Sequence, residues 1–311
     1  MRLATTIGEF YKYVKTPAEA VRQYEGTGFR CLDYNFYNTN APGSSFLEDG
    51  WMQEVCDAGE AAAKLGFTFV QAHSPNYNPL DPDTDHEAGM KATLRSIEAC
   101  GYLGIPTLVV HSGMRPGLTY PEDREGYFRE NTEYYRKLMP AAEKYGVNIL
   151  IENSAEENMD GKYFFMTGQE MADFAAQFNH PLLNCCWDIG HANMRGNDQY
   201  QDILAMGSAL KALHIQDNFG TYDEHVAPFI GTVDMDAVMQ GLLAVNYQGY
   251  FTFESDNMLG YRNGWPHARR KAPSITERRL DVPSLELRRD AVKLLYSIGR
   301  YILTQYDCFE Y

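Results

Sequence analysis

The strongest constraint on the fold is a regular alternation of short apolar runs with longer amphipathic stretches. Eight runs have the length and composition of buried strands, at residues 3–7, 29–36, 67–73, 107–111, 148–153, 182–188, 210–216 and 250–255. Helical periodicity separates them, for example at residues 87–103, 124–145, 168–178 and 235–245. Strands that alternate with helices predict right-handed βαβ units. Eight such units in 311 residues predict an α/β protein that folds as a single (β/α)8 TIM barrel over residues 1–311.

One segment, residues 257–283, departs from this alternation. It lacks periodicity, is rich in Gly, Pro and Arg, and carries Arg262, Arg269, Arg270, Lys271, Arg278 and Arg279 in an otherwise acidic chain. A loop of this length predicts a lid over the functional site, a solvated insertion or an arm that contacts another subunit. Residues 284–305 predict a closing helix that is capped by Ser284. Its buried side is predicted to carry Leu287, Val292, Leu295, Ile298 and Ile302.

The charge of the chain argues against nucleic acid as its partner. The chain has 27 Lys and Arg residues and 42 Asp and Glu residues, a formal net charge of −15 at pH 7, and such a field repels polyanions. No apolar run approaches the roughly 18 residues needed to cross a bilayer, and the first residues lack the apolar core of a signal peptide. The six cysteines form no Cys-x-x-Cys pair, so we expect reduced thiols in a cytoplasmic protein.

Acidic and imidazole side chains follow six consecutive predicted strands, at the point where each strand ends. They are His73, His111, Glu152, Asp188, His214 and Glu254, spaced by 26 to 41 residues. The carboxyl ends of parallel strands meet at one face of a barrel, so we expect these side chains to converge there. Three carboxylates and several imidazoles buried together require a cation. This donor set suits one divalent ion, Mn, Mg, Co or Zn.

Two further groups lie close to these strand ends in the sequence. His191 follows Asp188 by three residues, which places both near one centre. Asp223 and His225 lie in the loop after the seventh predicted strand. We interpret this pair either as further metal ligands or as groups that orient a substrate. The alternative is that both are solvent-facing loop residues.

The chain resembles the xylose isomerase-like superfamily of TIM barrels, which includes sugar phosphate isomerases and epimerases and apurinic endonucleases. The motifs that carry the resemblance are Ile151-Glu152-Asn153, Asp188-Ile-Gly-His191, Leu213-His214-Ile-Gln-Asp217, Asp223-Glu-His225 and Phe253-Glu254. For an isomerase or epimerase of a sugar or polyol, the resemblance implies one divalent ion, a Lewis acid that stabilises an enediolate, held by Glu152, Asp188, His214 and Glu254. It also implies that Glu152 and Glu254 move a proton next to a carbonyl. The implied substrate-binding residues are His73, His111, His191, Asp223 and His225.

Three other functions stay open. Ketose 3-epimerases of this superfamily have a second Glu where this chain has Asn158 and an Arg where it has Gly220. The runner-up is therefore a related dehydratase or lyase that acts on a keto-inositol or an oxidised glycoside. The donor set also matches the three-zinc site of the apurinic endonucleases in order. The third alternative is a barrel that binds a metabolite without catalysis.

The expected partners follow from the preferred function. We expect a small carbohydrate substrate, no nucleic acid and no membrane. A homo-oligomer, or a second subunit that completes the site, is left open.

Overall fold

Eight parallel strands form one sheet in the order β7-β6-β5-β4-β3-β2-β1-β8. This is a computed structural model that describes residues 1–115, 117, 120–155, 164–259 and 270–311. The strands are β1 (Leu3–Thr6), β2 (Cys31–Asn35), β3 (Thr68–His73), β4 (Thr107–Val109), β5 (Asn148–Glu152), β6 (Leu183–Asp188), β7 (Leu210–His214) and β8 (Phe251–Phe253). Ile215, just beyond β7, forms a parallel bridge with Phe253 of β8 and closes the ring. The predicted (β/α)8 barrel is therefore confirmed.

Helices follow the strands around the outside of the barrel. Those of the described chain are α1 (Pro17–Arg22), α2 (Met52–Leu65), α3 (His86–Leu103), α4 (Arg124–Tyr145), α5 (Gly168–Phe178), α6 (Ile189–Arg195), α7 (Gln199–Met206), α8 (Met235–Ala244) and α9 (Leu285–Gln305). Local chemistry sets their ends. Asp85 caps α3 through the backbone N–H of Ala88, and α4 ends at Gly146, whose φ of 67° favours glycine.

The strands are buried on both faces, as their apolar composition predicts. Ile149, Leu150 and Ile151 of β5 are fully buried, because one face packs inside the barrel and the other against the helices. The fourth strand is shorter than predicted. It ends at Val109, and His111 lies two residues beyond it on the loop.

Helix α9 packs against the outside of the barrel, where Gly299 lies against Leu3 of β1 and Phe253 of β8, and a buried arginine fixes its first turn. Ser284 caps it by accepting a hydrogen bond from the backbone N–H of Leu287. Arg288 is completely buried and donates to Glu9 Oε2 at 3.1 Å, to Asp256 O at 3.0 Å and to Leu259 O at 2.9 Å. It therefore ties the helix to the turn after β1 and to the loop after β8.

The predicted buried face of α9 needs one correction. Val292, Leu295 and Ile302 are buried, but Leu287 is 50% exposed. Leu287 lies in the first turn of the helix, where the adjacent Arg288 takes the inward position instead.

Part of the Arg-rich segment 257–283 lies outside the described residues, including Arg262 and Arg269. Of the described residues of the segment, 257–259 are partly buried and 270–283 are mostly exposed. Arg278 donates to Ala272 O at 2.8 Å, and Arg279 pairs with Glu277. The function of this segment as a lid or an arm stays a prediction.

No helix among the described residues is long and apolar enough to cross a membrane. All six cysteines are free thiols. The cytoplasmic location stays a prediction.

Candidate active site

The strand ends bring the predicted side chains to one end of the barrel. His73, Glu152, Asp188 and His214 are the last residues of β3, β5, β6 and β7, and Glu254 directly follows β8. Parallel register places these positions side by side, as in the pairing of Asp188 with His214. One residue from each strand therefore faces the same region.

Four of these residues form the strand-end cluster, Glu152, Asp188, His214 and Glu254. One ligand atom from each lies within 4.8 Å of the others, and all four residues are buried. His214 Nδ1 contacts Glu152 Oε1 and lies 3.4 Å from Glu254 Oε2. Asp188 Oδ2 is buried without a hydrogen-bond partner among the described residues. Three buried carboxylates, one with an unused oxygen, and one imidazole fit a divalent cation.

The remaining predicted residues form two smaller groups beside this cluster. His111 Nε2 lies 2.9 Å and His73 Nε2 lies 3.4 Å from Glu152 Oε2. On the other side, His191 Nε2 and His225 Nε2 each lie 3.2 Å from an oxygen of Asp223. The nine predicted side chains thus lie in one continuous site.

Three of the histidines are oriented in the same way. The Nδ1 atoms of His73, His191 and His225 lie 2.8, 2.8 and 2.7 Å from the backbone carbonyls of Ser74, Asn153 and Glu254. An Nδ1–H that donates to a carbonyl turns Nε2 towards the carboxylates. This arrangement is the usual one for histidines that bind metals.

Hydrogen bonds from Asn153 hold Asp188 in place at the end of β6, beside His191. The Asn153 side chain donates to Asp188 O at 2.8 Å and accepts from Asp188 N at 2.7 Å, which fixes the end of β6 against the end of β5. Asp188 Oδ1 then accepts from the backbone N–H of His191 at 2.7 Å, so Asp188 caps the short helix α6. The three-residue spacing is therefore a helix cap as well as a pair of site residues.

Asp223 and His225 are held by the loop wall, which we define as residues 217–233. Asp217 accepts hydrogen bonds from four backbone N–H groups of this loop, those of Asn218, Phe229, Gly231 and Val233, at 2.8 to 3.1 Å. A Cβ at Gly231 would lie 2.2 Å from Asn218 O, so glycine is needed there. Asp223 and His225 are only 6% and 8% exposed, so the solvent-facing alternative is wrong.

The surroundings of Glu152 and Glu254 move the pKa of these two carboxyls in opposite directions. Burial raises the pKa of Glu152, but the imidazoles of His214 and His111 outweigh burial and hold it well below its usual range. Burial raises the pKa of Glu254 well above its usual range, and Asp256 adds to the rise. Glu152 is therefore the more acidic of the two carboxyls.

Asp223 and its two histidines form a charged group of their own. Burial raises the pKa of Asp223, but His225 and His191 outweigh it, and the net shift is downward. Burial lowers the pKa of His225, but Asp223 outweighs it, so that the pKa is raised to about 9. Both ring nitrogens of His225 face acceptors, Glu254 O and Asp223 Oδ1, which suits an imidazolium.

A cavity of about 290 Å³ opens onto the site. It is lined by seven predicted residues, His73, His111, Glu152, His191, Asp223, His225 and Glu254. It is also lined by five residues that the sequence did not single out, Lys12, Tyr37, Asn76, Asp256 and Asn257. Each of these follows the end of β1, β2, β3 or β8 by a few residues. That position is the one feature of the sequence that places them near the site. Asp188 and His214 lie deeper, at 0% and 1% exposure.

The fold is a TIM barrel of eight parallel strands. Its acidic and imidazole side chains lie at the carboxyl ends of the strands, the face where TIM-barrel enzymes have their active sites. Within that class, this chain belongs to the xylose isomerase-like TIM barrel family, which it matches over residues 21–276. The resemblance seen in the sequence motifs is therefore confirmed.

Similar proteins include the D-psicose 3-epimerase of Ruminiclostridium cellulolyticum, 24% identical over 260 residues, which are 81% of this chain and 84% of that protein. Protein y4fM of Sinorhizobium fredii is 24% identical over 56% of this chain and 54% of its own length. Protein MJ1311 of Methanocaldococcus jannaschii is 27% identical over 61% of this chain and 65% of its own length. The chain thus spans between half and two thirds of these last two relatives.

Two solved structures have the same fold over nearly the whole chain. The 3-keto-D-glucoside 4-epimerase YcjR from E. coli has a TM-score of 0.65 at 20% identity and covers 96% of this chain and 99% of its own. A D-psicose 3-epimerase with D-tagatose from Clostridium cellulolyticum H10 has a TM-score of 0.69 at 17% identity, with coverage of 97% and 99%. At this level of identity the likeness establishes the fold.

Proposed function

We propose that this protein is a divalent-cation-dependent isomerase or epimerase that moves a proton next to the carbonyl of a sugar or polyol. The observation that carries the proposal is the pair of carboxylates Glu152 and Glu254, which both approach His214 Nδ1. The epimerase names of the similar proteins support the reaction class.

The strand-end cluster is the proposed cation site. Glu152, Asp188, His214 and Glu254 would hold one ion of Mn, Mg, Co or Zn, since their donor atoms lie within 4.8 Å of one another. A bound cation supplies Lewis acidity, which makes the C–H next to a coordinated carbonyl more acidic.

Glu152 and Glu254 are the proposed proton carriers. They come from β5 and from the end of β8, which are not neighbours in the sheet. A substrate carbon between them would have one carboxyl on each face. The ionised carboxyl takes the proton from one face, and the protonated carboxyl returns a proton to the other, which inverts the carbon.

The other site residues are proposed to bind the substrate. His73, His111, His191, Asp223 and His225 line the cavity and offer donors and acceptors for hydroxyl groups. A volume of about 290 Å³ lies at the lower end of small-molecule sites, which suits a monosaccharide or a similar polyol.

Deuterium exchange tests the proposal before the natural substrate is known. The protein is loaded with Mn²⁺ and incubated in D₂O with D-psicose, D-tagatose, D-fructose and a 3-keto-glucoside. We expect deuterium at the carbon next to the carbonyl of at least one sugar, seen by NMR, with loss of exchange after chelation. Exchange followed by loss of a hydroxyl would favour the dehydratase or lyase. Exchange that survives full removal of the cation would contradict the proposal.

One observation favours a second candidate, an apurinic-endonuclease-like phosphodiesterase with three zinc ions. Among the further groups with metal-binding spacing are two that lie beside the strand-end cluster, His73 with His111 and Glu152, and His191 with Asp223 and His225. The net charge of −15 opposes it, because DNA binding requires neutralised phosphates.

Elemental analysis separates the two candidates. About one divalent ion per chain is expected for the isomerase. Nearly three zinc ions per chain, with cleavage of duplex DNA that contains an abasic site, would replace it with the phosphodiesterase.

A further inference from the structure

His214 is oriented differently from three other histidines of the site. His73, His191 and His225 each direct Nδ1 to a backbone carbonyl and Nε2 to a carboxylate. His214 directs Nδ1 to the carboxylates of Glu152 and Glu254 instead. Its Nε2 therefore points the opposite way, into the barrel, where no backbone carbonyl of the described residues accepts a hydrogen bond from it.

The group that faces His214 Nε2 is the carboxylate of Asp33. Asp33 lies on β2 inside the barrel, and its Oδ2 is 4.0 Å from His214 Nε2. Both side chains are buried, at 3% and 1% exposure. Asp33 Oδ1 is also buried and has no hydrogen-bond partner among the described residues. A carboxylate in such a place is costly unless a cationic or N–H group offsets it.

A chain of side chains across the barrel interior fixes the orientation of Asp33. Gln71, its register partner on β3, donates to Asp33 Oδ2 at 2.8 Å. Thr252 on β8 donates in turn to Gln71 Oε1 at 3.3 Å. The carboxylate is thus held beneath the strand-end cluster by residues that do not touch the cavity.

We infer that Asp33 is a positioning residue, which holds the Nε2–H of His214 so that Nδ1 serves as the cation ligand. The inference rests on the proposed cation site. A histidine that binds a metal through one nitrogen needs an acceptor for the N–H of the other, and buried N–H groups are rarely left unpaired. Asp33 is the carboxylate that faces this nitrogen, and a side-chain movement of about 1 Å brings the 4.0 Å separation to hydrogen-bond length.

The test is Mn²⁺ binding, measured by calorimetry on the full chain after chelation. Asp33→Asn keeps the shape and the acceptor for Gln71 but removes the charge, and Asp33→Leu removes both. We expect Asp33→Leu to weaken Mn²⁺ binding about 10- to 100-fold, the usual effect of losing an outer-shell partner. Asp33→Asn should show a smaller loss. Asp57→Asn is the matched control, because Asp57 is exposed on α2, and it should bind Mn²⁺ as the wild type does.

Two further readouts separate positioning from a purely structural role. Removing a buried carboxylate should leave the thermal stability of the chelated Asp33→Asn protein unchanged or higher. In Zn²⁺-loaded protein with ¹⁵N-labelled histidine, the Nε2–H signal of His214 should move upfield in Asp33→Leu as its hydrogen bond is lost. A fall in the stability of chelated Asp33→Asn, with this signal unchanged in Asp33→Leu, would overturn the positioning role.

The outcomes distinguish this inference from the proposed function. A wild-type protein that binds no Mn²⁺ would overturn the cation site and the inference with it. A wild-type protein that binds Mn²⁺, with an affinity that Asp33→Leu leaves unchanged, would overturn the inference alone.

Discussion

The strand-end cluster and the loop wall form two sides of one site, but they are built differently. Each residue of the cluster is the last of its strand or directly follows it, so barrel register fixes its place. The loop wall has no such register beyond the bridge between Asp217 and Val226. It keeps its shape because the carboxylate of Asp217 accepts hydrogen bonds from four backbone N–H groups. Chemistry at the cluster and stability of the wall should therefore respond to different substitutions.

The largest effect is expected from the two carboxylates of the cluster. Glu152→Gln and Glu254→Gln should each lower turnover by about 10²- to 10⁴-fold, because neutral amides cannot carry the proton. The unfolding transition in urea should be retained, since Gln has the same shape. Deuterium exchange measures the turnover of each variant, and circular dichroism measures its unfolding transition in urea. Normal turnover in both variants would rule out the two-carboxylate mechanism.

The next effect concerns the stability of the loop wall. Asp217→Ala leaves four backbone N–H groups without their acceptor, so the free energy of unfolding should fall by about 2–4 kcal/mol. Urea denaturation measures it, with Asp57→Ala on the exposed face of α2 as the control.

The same variant tests whether the two sides are independent. Mn²⁺ affinity at the strand-end cluster should change by no more than about twofold in Asp217→Ala, as expected for separate sites. A large loss of Mn²⁺ affinity in this variant would show that the wall and the cluster form one unit.

A pH effect is expected at His225. Its pKa is raised to about 9 in the folded protein, against about 6.5 for the unfolded chain. Its charge pairing therefore stabilises the fold fully below about pH 6.5, and this stabilisation is lost as the pH rises to about 9. The loss is at most about 3 kcal/mol. Urea denaturation of chelated protein across this range measures it, and His225→Gln should flatten the dependence. A stability that rises with pH in this window only in the wild type would contradict the assignment.

The smallest effect is expected at the cavity edge. Lys12 lines the cavity and lies six residues after the end of β1. Lys12→Met should raise KM less than about tenfold and leave kcat unchanged, because it removes binding that is equal in the ground and transition states. Steady-state kinetics with the sugar identified by exchange provide the measurement. A fall in kcat would place Lys12 in the chemistry.

The sequence predicts where the cluster residues lie in the fold, because the periodicity that marks each strand also marks its end. The apolar run before Glu152 predicts β5, and the end of that strand is itself the site position. Helix α4 matches its predicted bounds because Gly146 stops it locally. No similar signal exists for Tyr37, Asn76 or Asn257, whose place at the cavity depends on how separate loops pack.

Leu287 shows where helical periodicity fails to predict which side chains of a helix are buried. The pattern assigns it to the buried side, yet the inward position in that turn belongs to Arg288. Only the three-dimensional fold shows that the carboxylate of Glu9 and two backbone carbonyls after β8 accept hydrogen bonds from the Arg288 guanidinium there.

The buried contacts of Arg288 have an evolutionary consequence. By fixing Asp256 and Leu259 on one side and the start of α9 on the other, this residue anchors both ends of the Arg-rich segment. Insertions, deletions or exchange of the sequence between these anchors can then accumulate without moving Glu254. The segment is thus held at both of its ends, so changes to its sequence and changes to the strand-end cluster can be made separately.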